Sequence, residues 1–128
     1  MIVSAPTSIG DLIDKISIFL IKKNNIKDLK KLSHIKLELE KLNKVLKKTK
    51  IKQKLIKTYL NKMRRINLKL WLIEDEIRLC EKNKNFKKKF ISLARSVYLN
   101  NDIRARIKLE INTKFNSGIL EIKSYKKY

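Results

Sequence analysis

The chain is 128 residues long and carries 27 Lys and 6 Arg against 12 acidic residues, a formal charge of +21, with two Gly, one Pro, one Cys and one His. A glycine-rich phosphate loop is excluded, because Walker and dinucleotide fingerprints need several glycines close together, and Gly10 and Gly118 stand alone. One Cys with one His forms neither an internal disulfide nor a tetrahedral structural zinc site.

The length suits a single helical domain over residues 1–128, large enough to bury a core. The longest uncharged run is the ten residues Met1–Gly10, well short of the roughly 20 apolar residues that span a bilayer. No basic residue precedes an apolar stretch, so a signal peptide is not expected. These features point to a cytoplasmic protein in a reducing compartment, with no membrane span, metal or cofactor. The charge itself is discounted: 57 residues are Lys, Ile or Asn, and Lys far outnumbers Arg, as drift towards A/T-rich codons produces. A dedicated nucleic-acid surface recruits more Arg, whose planar fork fits phosphates and base edges.

Taken in chain order, Ser8-Ile-Gly-Asp11 after Pro6 has the spacing of a capping box, with Asp in place of Glu. Ile9, Leu12, Ile13, Ile16 and Leu20 follow at helical spacing, which predicts a first helix over about 8–24. Leu29, Leu32, Ile35, Leu39, Leu42 and Leu46 repeat at steps of three and four and predict a second over 28–48. Beyond Thr49-Lys50, Ile56, Leu60, Met63, Ile66, Leu70, Ile73, Ile77 and Cys80 form one stripe, a long third helix over 52–82. These two make a long helical hairpin. Phe86 to Val97 reads as a short fourth helix, and Asn100-Asn101-Asp102 as the cap of a fifth that ends near Asn116-Ser117-Gly118. The segment 119–125 alternates enough to be a strand and could pair with Ile2-Val3 in a two-stranded clip. The expected class is all-α, with shorter helices packed at both ends of the hairpin.

On the third helix Asn67, Trp71, Glu74, Arg78 and Glu81 form a polar stripe beside the apolar one. Such a stripe is either a structural network, with Glu74 and Arg78 as an i,i+4 pair, or the wall of a ligand pocket. Glu74, Asp75, Glu76 and Glu81 invite a metal reading, but Glu74 and Glu81 lie about 10 Å apart along the axis in a positive field, so no metal is expected. His34 reads as a structural or surface residue and Cys80 as a small core residue. Twelve Lys or Arg and no acid lie between Lys41 and Ile73, and five Lys lie between Lys82 and Lys89. Lys47, Lys48, Lys50, Lys52, Lys87, Lys88 and Lys89 are therefore the candidate phosphate contacts for non-specific nucleic-acid binding. Aromatic interleaving is too sparse for base stacking.

Several segments together resemble one family: Ala5-Pro-Thr-Ser-Ile-Gly-Asp-Leu-Ile-Asp-Lys-Ile-Ser-Ile18, Leu70-Trp-Leu-Ile-Glu-Asp-Glu-Ile-Arg78, Leu93-Ala-Arg-Ser-Val-Tyr98, Asn101-Asp-Ile-Arg-Ala105 and Lys123-Ser-Tyr125. The chain resembles, over nearly its whole length, a small helical family of unknown function found in bacteria, often marine ones, and their viruses. That family supplies no catalytic role to carry over. Its pattern has a Glu where this chain has Leu20, so the resemblance lends no acid to a site there. Its motifs fall on the polar stripe and the Arg95 to Arg106 junction, away from the lysine runs.

The reading is a binding module whose pocket, for a small anionic ligand or partner segment, draws on Asp14, Lys15, Asn67, Trp71, Glu74, Arg78, Arg95, Tyr98, Asn101 and Asp102. Two alternatives stand beside it: weak nucleic-acid binding through the lysines, and a small enzyme acting on a phosphorylated or carboxylated metabolite, with Glu74 as general base and an arginine holding the anion. Whether the protein is an enzyme, and its oligomeric state, stay open from sequence. The first-helix arginines of chorismate mutases and the paired Glu-x-x-Glu of helical pyrophosphatases are absent.

Overall fold

A computed structural model, which describes residues 1–121 and 123–128, contains four helices: α1 (Ile9–Asn25), α2 (Leu29–Lys48), α3 (Gln53–Lys82) and α4 (Lys88–Lys114). None is long and apolar enough to cross a membrane. The expected start of α1 is realised by Ser8, whose Oγ accepts the amide hydrogen of Asp11 at 2.9 Å. Asp28 does the same for α2, accepting from the amides of Lys30 and Lys31, so one otherwise orphaned donor in the first turn of α1 and two in that of α2 find partners.

The packing is organised around α1. Its buried residues Leu12, Ile13, Ile16, Phe19 and Ile21 fall on more than one side, so it is covered from several directions. Backbone of α2, α3 and α4 each approaches α1 closely, and α3 also lies against α4. The two long consecutive helices are present, but α2 leans on α1 instead of lying along α3. The core joins the α1 residues to Ile35, Leu39 and Leu46 of α2, Ile56, Met63 and Ile66 of α3, and Ile107 and Ile111 of α4. Burial of such apolar area, at about 25 cal/mol per Å², is the main force for the assembly.

Gly10 is where α1 meets α4. Its amide donates to Asn112 Oδ1 at 2.6 Å, and a Cβ at this position would stand 2.7 Å from the Lys108 carbonyl oxygen. Only a residue without a side chain admits that approach.

Two further expectations are corrected. The fourth and fifth helices are one continuous α4: Asn100-Asn101-Asp102 does not cap, because the Asn100 amide group donates back to the Ser96 carbonyl at 2.7 Å and continues the helix. The helix ends at Lys114, next to the expected Asn116-Ser117-Gly118 stop, and within that stop Asn116 takes the left-handed place. Asn116 takes φ 52°, while the Ser117 amide reaches the Asn112 carbonyl at 2.8 Å and the Asn116 amide the Thr113 carbonyl at 3.3 Å, the paired bonds of a Schellman ending. The clip is not formed: Ile2 and Val3 are exposed coil, and none of the described residues of 119–125 is in a strand, Ile122 lying outside the described residues. The tail instead returns along α4. Asn112 donates to the Leu120 carbonyl, Ser8 Oγ donates to Glu121, and Tyr128 Oη donates to Asp102 at 2.7 Å.

Candidate functional site

Asp14 is 2% exposed on the inner face of α1. A carboxylate so placed needs charge and hydrogen-bond partners to offset its lost hydration, and three helices supply them. Arg104 of α4 grips it with two nitrogens, Nε donating to Oδ1 at 3.0 Å and Nη2 to Oδ2. From α3, Asn67 Nδ2 lies 2.7 Å from both Asp14 Oδ1 and Ser17 Oγ, and Ser17 in turn donates to the Asp14 carbonyl. Lys108, one turn beyond Arg104, sits 3.4 Å from Asp11, 3.8 Å from Asp14 and 3.9 Å from Glu121. This network of two cations and three carboxylates ties α1, α3, α4 and the tail together, and no buried side-chain polar atom among the described residues lacks a partner.

Directly over it opens a cleft of about 270 Å³, lined by Ile18 and Ile21 of α1, Asn67, Leu70, Trp71 and Glu74 of α3, and Val97, Asn101 and Arg104 of α4. The guanidinium of Arg104 belongs to both layers. Its Nε and Nη2 hold Asp14, and its Nη1 makes no hydrogen bond to a described residue. The side chain is 28% exposed. Asn101 likewise makes no side-chain hydrogen bond within the described residues. Glu74 stands at the rim, bonded to Arg78 Nε at 3.0 Å, with both side chains largely exposed.

Of the residues read from sequence as pocket candidates, Asn67, Trp71, Glu74 and Asn101 converge on this cleft, with Asp14 buried behind Arg104. The others lie elsewhere. Lys15 and Arg95 are exposed outside the cleft lining, and Arg78 reaches it only through Glu74. Tyr98 packs edge-on against Tyr128 with ring centroids 5.3 Å apart. Asp102 accepts the Tyr128 hydroxyl, and that bond raises the tyrosine's pKa above its usual 10.0. The central cation, Arg104, was legible only as a residue within the Arg95 to Arg106 junction, and Ile18, Ile21 and Val97 carried no signal beyond being apolar.

The lysines read as a phosphate surface do not share one face. Lys47, Lys48, Lys50 and Lys52 surround the α2–α3 turn, whereas Lys87, Lys88 and Lys89 open α4 beyond the other end of α3. The 30 residues of α3 set the two groups about 45 Å apart. Lys89 is also paired with Glu76 at 3.0 Å, which raises its pKa.

No curated protein and no solved structure matches the chain. Residues 3–128 match the model of a family of unknown function, DUF6165, and the chain belongs to that family.

Proposed function

We propose that the protein is a binding module whose cleft between α1, α3 and α4 takes a small ligand with a singly charged anionic head, such as a carboxylate, and an apolar body. The observation that carries this reading is the double placement of Arg104, fixed from behind by buried Asp14 and facing the cleft beside Trp71. A guanidinium already immobilised loses little further freedom when it binds an anion. Asp14 offsets its charge, so the balance favours one negative charge over a phosphate dianion. The apolar body would rest on Ile18, Ile21, Leu70 and Val97, with Trp71 as the wall and the Asn67 and Asn101 amides near the head. A general-base role for Glu74 lacks comparable support, since its carboxylate is a surface partner of Arg78.

Trp71 is the only tryptophan, so its fluorescence reports on this cleft alone. The test is a titration with a panel of small aliphatic and aromatic carboxylates beside their phosphate-ester counterparts. A saturable change with a carboxylate, weakened tenfold or more in Asn101→Ala and in Arg104→Lys, supports the reading. The lysine keeps the charge and loses the fork, while Asn101→Ala leaves the Asp14 network untouched. No saturable response to any anion, or binding in both variants as strong as in the native chain, overturns it.

A further inference from the structure

A second concavity lies on the opposite side of α1, and it has a different chemistry. The connection 26–28 turns the chain back so that α2 runs along α1. Beside the buried stripe of α2, Lys36, Glu40, Lys44 and Lys47 follow one another at steps of four, four and three, with Asn43 beside Lys44, which places them on one flank of the helix. With Leu39 below and Lys23 of α1 opposite, they line a groove of about 380 Å³. Four lysines therefore line one open hollow with a single glutamate, whose carboxylate is held by Lys44 at 3.5 Å. The stripe from Lys36 to Lys47 runs about 16 Å along the helix, long enough for successive charges and not for one ion alone. No aromatic ring lines it, so there is no platform on which a base could stack.

We infer that this α1–α2 groove binds the sugar-phosphate backbone of nucleic acid, reading its charge and not its bases. The concave wall concentrates the field of the four lysines, as charged clefts do, and Asn43 offers an amide donor to a phosphate oxygen among them. The groove is separate from the lysines around the α2–α3 turn and at the start of α4, with only Lys47 shared. It does not depend on the cleft over Arg104, since α1 stands between the two.

The experiment measures binding of a fluorescein-labelled oligothymidine across a salt series. It compares the native chain with Lys23→Gln, Lys36→Gln, Lys44→Gln and Lys47→Gln combined, and with a control that removes the same charge through Lys82→Gln, Lys87→Gln, Lys88→Gln and Lys89→Gln. Each phosphate contact in a single strand contributes about 0.7 to the slope of log affinity against log salt. The groove variant is expected to bind at least tenfold more weakly at low salt, with the slope reduced by about 3, and the control to change by less than half of that. The fourfold Lys→Arg variant of the groove should bind as the native chain does, and circular dichroism checks that each variant is folded. Equal losses in the groove and control variants would show that net charge alone binds the strand and overturn the assignment. Groove-dependent binding of inorganic polyphosphate without binding of the oligonucleotide would overturn it as well.

Discussion

Arg104 and Asp14 lie 90 residues apart in the chain and are joined by two parallel hydrogen bonds, so the first helix and the last are registered by one ion pair. Around it the partition of charge is uneven: the carboxylate is nearly sealed, whereas the guanidinium keeps an edge in the cleft. Removing the sealed partner and removing the exposed one should therefore have different consequences.

Asp14→Ala leaves Arg104 and Lys108 without their inner acceptor and also strips Asn67 of one of its two bonds. Breaking a buried pair by deleting one partner is destabilising by about 3–5 kcal/mol, and the partial exposure of Arg104 places the expected loss near the lower bound. Urea denaturation of Asp14→Ala against the native chain measures it. A loss below about 1 kcal/mol would mean that the pair behaves as a surface ion pair and does not hold α1 to α4.

The two glycines should separate cleanly. Gly10→Ala forces a Cβ to within 2.7 Å of the Lys108 carbonyl oxygen and 2.8 Å of Asn112 Oδ1. Backbone cannot yield as a flexible side chain does, so a loss of about 1–3 kcal/mol is expected, the range of overpacked cores. Gly118→Ala meets nothing within 4 Å and has no positive φ, and should leave the stability unchanged or slightly raised through the unfolded chain. Chemical denaturation of the pair checks both, and equal effects would contradict the close α1–α4 approach.

These contacts mark the limit of what the sequence could carry. The Ser8 cap, the α2 leucine repeat and the long stripe of α3 are local patterns, in which residues three or four apart do what their spacing implies. The Asn100-Asn101-Asp102 run misled because asparagine has two uses, capping a helix or bonding back to the preceding turn, and only the packed neighbours of α4 decide between them. Trp71 and Glu74 could be placed on one face from their spacing, but the third wall of the cleft comes from Arg104, and pairing it with Asp14 needs the arrangement of three helices. The stop of α4 at Asn116-Ser117-Gly118 was legible, but which of its residues takes the positive φ is settled by which amides reach back to which carbonyls.

Lys84 holds the same left-handed place at the end of α3, with φ 52° and the Asn85 amide bonded to the Cys80 carbonyl at 2.9 Å. A side chain there costs about 1 kcal/mol or more relative to glycine, partly offset by the greater freedom glycine gives the unfolded chain. Lys84→Gly is therefore expected to raise the stability by up to about 1 kcal/mol, read as a higher melting temperature at fixed pH. A lower melting temperature would show that the lysine side chain supports the turn through its contact with Glu81.

The tail should come away from α4 at high pH and stay docked at neutral pH. The hydrogen bond to Asp102 keeps the Tyr128 hydroxyl protonated and raises its pKa above 10.0. A group whose folded-state pKa is raised contributes stability that is complete below the unfolded pKa and is lost as pH rises through the folded one. The contact between Tyr128 and Asp102 is thus intact at pH 7 and fails above pH 10, when phenolate faces carboxylate. Limited proteolysis of the tail as a function of pH tests this: cleavage should rise above pH 10 in the native chain, whereas Tyr128→Phe, which cannot donate to Asp102, should be cut faster already at neutral pH. Because the ring is 77% exposed, the melting temperature of the helical core should not change. Equal cleavage of native and variant chains at neutral pH would show that the ring contact with Tyr98, and not the hydroxyl, secures the tail.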